Sequence, residues 1–322
     1  MPISRRAILG ASLSLPAARA SAQAFSTRPV RMVVPFTPGG TVDIVARLVA
    51  AKMTENGFGS VIVENRAGAA GTIAGDYVAR AAPDGHTLLV GGGGQVTIAQ
   101  TLFPNLPYNA RELVPVTNLV DTPITLWAGP AMPARTYQEF LEYVRARPPG
   151  SVNYGSSGVG TVGHLLTEMF LQATGLNMTH VPYRGGAPAF TDMINGLLPV
   201  MWVSAISAKP FMDAGQLRPL LHGGSTRLAM IPNTPTVVEV GLSELAFPIW
   251  TGLLAPRGTP DAIVTRLDAD IRRAITDPVI RQRIADIGGI VLGSPPAEFS
   301  RLLEEDFPRW QRVITSRNIR PE

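Results

Sequence analysis

Apolar and polar positions follow two alternating patterns along this chain. Short apolar runs such as VRMVVPF, SVIVEN and HTLLVG are typical of buried strands. The first two precede stretches with helical spacing, which predict helices from about Val42 to Met53 and from about Thr72 to Ala82. SVNYG, THVPY and PVMWVS also precede helical stretches. Strands joined by crossover helices predict an α/β fold with largely parallel sheets.

The pattern also predicts how the chain divides into domains. Two extended segments, Leu113–Gly129 and Ala246–Pro256, lack a following helix and bracket a block with its own strands and helices. We therefore predict a discontinuous first domain (27–122 and 250–322), an inserted second domain (123–249) and a two-strand hinge. The chain is strongly helical from about 261 to 286 and ends in a long amphipathic helix. Ligands bind beyond the carboxyl ends of strands in open α/β sheets, so two such domains facing each other form a cleft.

Composition changes this picture mainly at the amino terminus. A chain of 322 residues fits two domains of ordinary size. Residues 1–24 carry an arginine pair, a short apolar run and small-x-small triplets, which predict an export signal. The order SRRAIL favours a twin-arginine signal, and an ordinary secretory peptide is the alternative. We expect the mature protein to be periplasmic.

Charge and cysteine content exclude several classes of function. The formal charge is +4, and removal of Arg5, Arg6 and Arg19 with the signal leaves +1, which does not favour nucleic acid as a partner. The chain has no cysteine, so disulfides and thiol chemistry are excluded. No segment beyond the signal is apolar for long enough to predict a membrane span.

Three glycine-rich turns connect a strand to a helix: VVPFTPGGTVDIVARLVA, YGSSGVGTVGHLLTEMF and VPYRGGAPAFTDMI. Each turn leaves backbone N–H groups free at a helix N-terminus, where the helix dipole favours an anion. Thr41 and Thr161 stand at expected N-cap positions. Neither the phosphate-binding P-loop nor the dinucleotide fingerprint is present, so a carboxylate fits these turns better than a phosphate.

Some residues near these turns allow two interpretations. Asp43, in the first helical turn, offsets the helix dipole, orients the loop or receives a ligand amino group. Trp202 is either core packing or part of the cleft rim. His164 is a polar pocket wall, a helix-surface residue or, least favoured, a catalytic base. No G-x-S-x-G motif occurs, and the four histidines form no metal-binding spacing, so we predict no catalytic residue, no metal and no cofactor.

Several motifs in order resemble the Bug, or TctC, family of periplasmic receptors of tripartite tricarboxylate transporters. They are the first two glycine-rich turns, VENRAGAAGTIAGDYVARAAPDGHTLLVG, HVPYRGGAPAFTDMINGLLPVMW and GLLAPRGTPDAIVTRL. The resemblance extends from about Thr27 to the C-terminal helix. It implies a type II periplasmic-binding-protein fold, in which two α/β domains close on a small carboxylate. It further implies that Phe36 to Thr41 and Ser156 to Thr161 hold the carboxylate, partly through ordered water.

From the turns and the resemblance together we predict a set of ligand-binding residues. They are Phe36, Thr37, Gly39, Gly40, Thr41, Asp43, Ser156, Ser157, Gly158, Thr161, His164, Tyr183, Gly185, Gly186, Trp202 and Ser204.

The sequence also departs from the family pattern. Pro199 stands where relatives commonly have an acidic residue, and Val203 and Ser204 stand where Asp or Asn is frequent. GGGGQVTIAQ replaces a more polar turn. These departures leave the distal half of the ligand open and weaken any inference of an amino acid ligand.

The expected partners are a small carboxylate and the membrane subunits of a tripartite tricarboxylate transporter, with the receptor itself a monomer. Two alternatives stay open. The first is a receptor that signals to a sensor kinase, and the second, less favoured, is a hydrolase that uses Ser157 and His164.

Overall fold

The computed structural model describes residues 28–286 and 288–321. The predicted export signal, residues 1–24, lies outside the described residues. Within them, no helix combines the length and apolar character that crossing a membrane requires.

The described part of the chain contains eleven strands and ten α-helices. The strands are β1 (Val30–Val34), β2 (Val61–Asn65), β3 (Thr87–Gly92), β4 (Val114–Asp121), β5 (Ile124–Ala128), β6 (Asn153–Ser156), β7 (Thr179–Pro182), β8 (Val200–Ser204), β9 (Arg218–His222), β10 (Trp250–Ala255) and β11 (Ile290–Ser294). The helices are α1 (Thr41–Glu55), α2 (Thr72–Ala79), α3 (Ala99–Leu102), α4 (Tyr137–Arg145), α5 (Val162–Thr174), α6 (Gly186–Ile194), α7 (Ala205–Asp213), α8 (Asp261–Ile275), α9 (Pro278–Asp286) and α10 (Pro296–Ser316).

The strands form two separate sheets, and each sheet is the centre of one domain. The first domain contains the six-stranded sheet β11-β4-β10-β3-β1-β2, and the second contains the five-stranded sheet β7-β6-β8-β5-β9. The chain passes to the second sheet between β4 and β5 and returns between β9 and β10. The α/β, two-domain fold predicted from the sequence is confirmed, whereas the domain boundaries stay predictions.

The expectation of largely parallel sheets is wrong for three of the five strand pairings in the first sheet and for two of the four in the second. β1 pairs in parallel with β2 and β3, and β6 pairs in parallel with β7 and β8. The strands next to the domain crossings, β4, β5 and β10, pair only antiparallel with their neighbours, as do β9 and β11. Parallel neighbours are ordinarily joined by a crossover connection, and none of β4, β5 and β10 is joined to a neighbour in its sheet by a single crossover helix.

The two crossings contact each other between the sheets. The Thr122 N–H donates to the Ile249 carbonyl at 2.9 Å, and the Ile249 N–H donates to Asp121 Oδ1 at 2.7 Å. Burial raises the pKa of Asp121 to about 6, although two backbone N–H groups act in the opposite direction. The two crossings are thus joined by hydrogen bonds.

The last helix reaches across both domains. Phe299 and Leu303 of α10 pack in a core cluster of the first domain, while Trp310 packs with the core of the second. The ring of Trp310 meets that of Phe247 edge-on at 5.2 Å. Just beyond the helix, Arg317 forms an ion pair with Glu168 of α5 at 2.7 Å.

Candidate functional site

A cavity of about 610 Å³ lies between the two sheets, at the carboxyl ends of their parallel strands. Its walls come from the turns after β1 and β3 in the first domain and after β6, β7 and β8 in the second. Eleven of the predicted ligand-binding residues line it: Phe36, Thr37, Gly39, Gly40, Thr41, Ser157, Thr161, Gly185, Gly186, Trp202 and Ser204. Their role in binding a ligand stays a prediction.

Four helices point their N-termini at this cavity. The N-cap residues of α1, α5, α6 and α7 all line it, and they are Gly40, Thr161, Gly185 and Ser204. The first N–H groups of a helix have no partner within the helix, and its dipole places about half a positive charge there. None of the described residues that line the cavity is Asp, Glu, Lys, Arg or His. The electrostatic character of the cavity therefore comes from backbone dipoles and from neutral polar side chains.

An ionic network holds the turn between β1 and α1. Asp43 accepts hydrogen bonds from the Gly39 N–H at 2.9 Å, from Arg47 at 2.9 Å through two nitrogens, and from Asn65 at 2.8 Å. Asn65 also donates to the Phe36 carbonyl at 3.0 Å. Burial alone would raise the pKa of Asp43, but these hydrogen bonds and the Arg47 charge outweigh burial and lower it.

Asp43 therefore does not line the cavity, because both of its carboxylate oxygens point into the turn. Of the three interpretations of Asp43 that the sequence left open, this geometry agrees with the one in which Asp43 orients the loop.

Neutral hydrogen bonds hold the corresponding turn between β6 and α5. Ser156 Oγ accepts from the Gly158 N–H at 3.1 Å and lies 2.7 Å from His180 Nε2. The Gly160 N–H donates to His164 Nδ1 at 3.1 Å, and Thr161 Oγ1 donates to the Gly158 carbonyl at 2.8 Å. Ser156 and His164 thus support this turn from behind and do not line the cavity.

The rings of the two histidines behind this turn are stacked, and burial favours the neutral form of both. The rings of His164 and His180 lie 3.9 Å apart and nearly parallel. Burial lowers the pKa of both rings, to about 4 for His180, where the neighbouring His164 acts in the same direction. Since His164 Nδ1 accepts a backbone hydrogen bond and no hydrogen bond joins it to Ser157 among the described residues, the geometry does not support the hydrolase alternative.

Three hydroxyl groups join the two domains across the cleft. Thr41 Oγ1 of α1 lies 2.6 Å from Ser204 Oγ and 3.2 Å from Ser207 Oγ, and these two serine oxygens are 3.1 Å apart. Thr41 is the first residue of α1, so the expectation that it is the N-cap is wrong, and Gly40 occupies that position. Thr161 is the N-cap of α5, but its hydroxyl makes no capping bond. Ser207 was not among the predicted ligand-binding residues. The sequence pattern that indicates it is the spacing S-x-x-S at the start of α7.

The remaining predicted residues, Gly158 and Tyr183, line an adjacent cavity of about 640 Å³. Phe36, Thr37, Ala70, Ser157, Thr161 and Gly185 line both cavities. Arg184 is the one charged side chain among the described residues that line the second cavity, and it is exposed. Tyr183 points its hydroxyl at Asp192, 2.7 Å away.

An apolar wall of the first cavity was also not predicted from the sequence. Phe190 and Ile194 come from α6, Val203 from β8 and Phe211 from α7. The rings of Phe190 and Phe211 lie 4.8 Å apart. The signal that could have found this wall is the apolar face of two helices that follow the site turns. Such a face is ordinarily assigned to the core.

Trp202 is buried beside this wall and lines the first cavity. Its indole nitrogen has no hydrogen-bond partner among the described residues. Among the described residues, no group of three or more His, Cys, Asp or Glu side chains is placed to hold a metal ion.

Comparison with known proteins gives one family and several structures. Residues 45–319 match the model of the tripartite tricarboxylate transporter family receptor, TctC. A UPF0065 protein of Bordetella pertussis is 33% identical over 317 residues, which cover 98% of each chain.

Two solved structures share the fold closely. Rpa4515 of R. palustris with adipate has a TM-score of 0.87 and 33% identity, covering 92% of this chain and 100% of that one. The periplasmic binding protein BugD has a TM-score of 0.85 and 30% identity over 92% of this chain and 100% of its own.

Proposed function

The chain belongs to the tripartite tricarboxylate transporter receptor family, TctC, and on this premise we propose that it is a periplasmic solute receptor. It captures a small carboxylate between its two domains and delivers it to the membrane subunits of a tripartite tricarboxylate-type transporter. The predicted ligand-binding residues that line the first cavity form the binding surface. Residues 1–24 direct export and are removed, and the receptor acts as a monomer without catalysis.

The observation that carries this proposal is the convergence of four helix N-termini on a cavity without charged side chains. A carboxylate needs a few N–H donors, and each hydrogen bond to a charged group contributes about 1.5–3 kcal/mol. Backbone donors from α1 lie in one domain and those from α5, α6 and α7 in the other. A bound carboxylate thus makes its full set of contacts only when the domains are closed, and this couples binding to closure.

A similar structure supports the chemical class of the ligand. Rpa4515, which shares 33% of its sequence with this chain, is described with bound adipate, a small carboxylate.

Ligand screening by thermal denaturation tests the receptor proposal. Small carboxylates at a hundredfold excess over their dissociation constant should stabilise the protein by about 2.7 kcal/mol, because they bind the folded state only. Neutral sugars and nucleotides serve as controls and should leave the melting temperature unchanged. Stabilisation by sugars alone would overturn the proposal.

Delivery to a transporter needs a separate test. Deletion of the gene for this chain should abolish uptake of the labelled carboxylate identified in the screen, and expression of the wild-type chain should restore it. Unchanged uptake, together with loss of a transcriptional response to the same carboxylate, would favour the sensor-kinase alternative.

A further inference from the structure

The first cavity has a polar end and an apolar end. The polar end is formed by the glycine-rich turns and the four helix N-termini described above. The lining residues Phe190, Ile194, Val203 and Phe211 are called the apolar end; Phe190, Val203 and Phe211 pack in one apolar cluster, and the rings of Phe190 and Phe211 lie 4.8 Å apart. Ile194, Val203 and Phe211 are only half-buried although they are apolar, so the protein itself leaves part of their surface uncovered.

No charged group is placed to meet a second ligand charge at the apolar end. Asp192, on the same helix as Phe190, accepts the hydrogen bond from Tyr183. Lys209, on the same helix as Phe211, is paired with Asp213 at 2.6 Å. Neither charged residue is among those that line the cavity, and Asp43 is enclosed in its own network.

We infer that the ligand selected by this cavity is a monocarboxylate with an uncharged apolar body. Neither a dicarboxylate nor an amino acid fits as well. A second carboxylate or an ammonium group would lose its hydration against apolar side chains without gaining a partner. An apolar body gains free energy from the same surface in proportion to the area that it buries. The inference rests on the proposed function and names the class of solute that the same site takes.

The adjacent cavity offers the strongest competing arrangement. A dicarboxylate could span both cavities and place its second charge at Arg184. Arg184 is exposed, and the attraction between a carboxylate and an exposed arginine is small because solvent screens it. The apolar wall is therefore the stronger determinant, and the two arrangements are separated by experiment.

Matched ligand pairs test the inference by calorimetric titration of the full-length mature protein at pH 7. Hexanoate and adipate differ by one carboxylate, 4-methylpentanoate and leucine differ by one ammonium, and hexanoate and hexanamide differ by the charge at the polar end. We expect adipate and leucine to bind at least about 100-fold more weakly than their monocarboxylate partners. Hexanamide should not bind detectably.

The outcomes distinguish this inference from the function on which it rests. If adipate or leucine binds as tightly as its partner, the monocarboxylate inference is wrong and the carboxylate receptor stands. If hexanamide binds as tightly as hexanoate, or if no carboxylate binds, the proposed function itself is wrong.

A charge introduced at the apolar end gives a second readout. Ile194→Arg supplies the missing cation, so it should reduce the preference for hexanoate over adipate to about tenfold or less. Leu197→Arg is the matched control, because Leu197 is exposed and lines neither cavity. This control should keep the wild-type preference. An unchanged preference in a folded Ile194→Arg protein would overturn the assignment of the apolar end. If that variant does not fold, the wild-type ligand pairs decide alone.

Discussion

Two turns face each other across the cleft, and the protein holds them in different ways. The turn after β1 is fixed by a carboxylate, Asp43, which is paired with Arg47 and Asn65. The turn after β6 is fixed by a serine and two neutral histidines, with Ser156 next to His180. Both turns present backbone to the same cavity, so the same local shape is reached through charged support in one domain and uncharged support in the other.

The difference between the two supports predicts different responses to pH. Because the pKa of Asp43 is lowered in the folded protein, its contribution to stability is present above its ordinary pKa and lost only in more acidic solution. The pKa of His180 is lowered to about 4 from its ordinary value of 6.5. Between these two values the unfolded chain binds the proton and the folded protein does not, so stability falls as the pH falls from about 6.5 to about 4. The second turn therefore weakens first on acidification.

The largest effect is expected when the backbone of the second turn is forced to change. Gly158 has a φ of +134°, and a Cβ there would lie 3.3 Å from the Tyr183 carbonyl oxygen. Gly158→Val should displace the N–H donors of the turn, and loss of two charge-assisted hydrogen bonds costs about 3–6 kcal/mol of binding free energy. Calorimetric titration of the wild type and the variant with the same carboxylate measures this loss of affinity.

Gly241→Val is the control for backbone strain, since Gly241 has a φ of +81° and lines neither cavity. It should keep the wild-type affinity. Wild-type affinity in Gly158→Val would show that the second turn does not hold the anion.

The ionic support of the first turn should have the next largest effect. Asp43→Ala leaves the Gly39 N–H and one N–H of the Asn65 amide without an acceptor, and it should lower the free energy of unfolding by about 2–3 kcal/mol. Asp43→Asn keeps one acceptor oxygen and should lose about half as much. Urea denaturation without ligand measures both variants. Equal losses would mean that the charge, and not the set of hydrogen bonds, holds the turn.

The neutral support of the second turn should show its effect as a pH dependence. His180→Gln removes the titrating ring and keeps a group that can hydrogen-bond Ser156. Between pH 6.5 and pH 5, the wild type should lose about 1 kcal/mol more unfolding free energy than the variant, after allowance for the partial exposure of His180. Denaturation curves at the two pH values check this. Parallel losses in the two proteins would contradict the assignment of the acid-sensitive support to His180.

The sequence predicted the first turn and its flanking elements because local pattern determines them. VRMVV forms β1, and the expected helix from Val42 to Met53 extends from Thr41 to Glu55. The predicted helical region from 261 to 286 is confirmed and contains two helices, α8 and α9, because Asp277 accepts the N–H groups of Val279 and Ile280 and a new helix begins at Pro278.

The supporting residues and the apolar wall depend on tertiary contacts that local pattern does not contain. Ser156 and His180 lie 24 positions apart in sequence and meet because β6 and β7 are parallel neighbours. Phe190 and Phe211 meet because α6 and α7 both pack on the second sheet. Likewise, whether Asp43 faced a ligand or its own turn depended on Asn65, which β2 brings beside β1.

The smallest effect is expected at Arg184, which follows Tyr183 beside the second turn and contrasts with Arg47. Arg47 is bonded through two nitrogens to a buried carboxylate, whereas Arg184 is exposed and makes no hydrogen bond or ion pair among the described residues. Arg184 lines only the adjacent cavity, and the helix N-termini already supply donors at the first. Arg184→Ala should therefore change carboxylate affinity by no more than about threefold, or about 0.6 kcal/mol, as measured by titration at low and at physiological salt. Arg184→Lys keeps the charge and should be indistinguishable from the wild type. If Arg184→Ala abolished binding while Gly158→Val spared it, a side-chain clamp would hold the carboxylate, and the backbone donors of the two turns would serve only to shape the cleft.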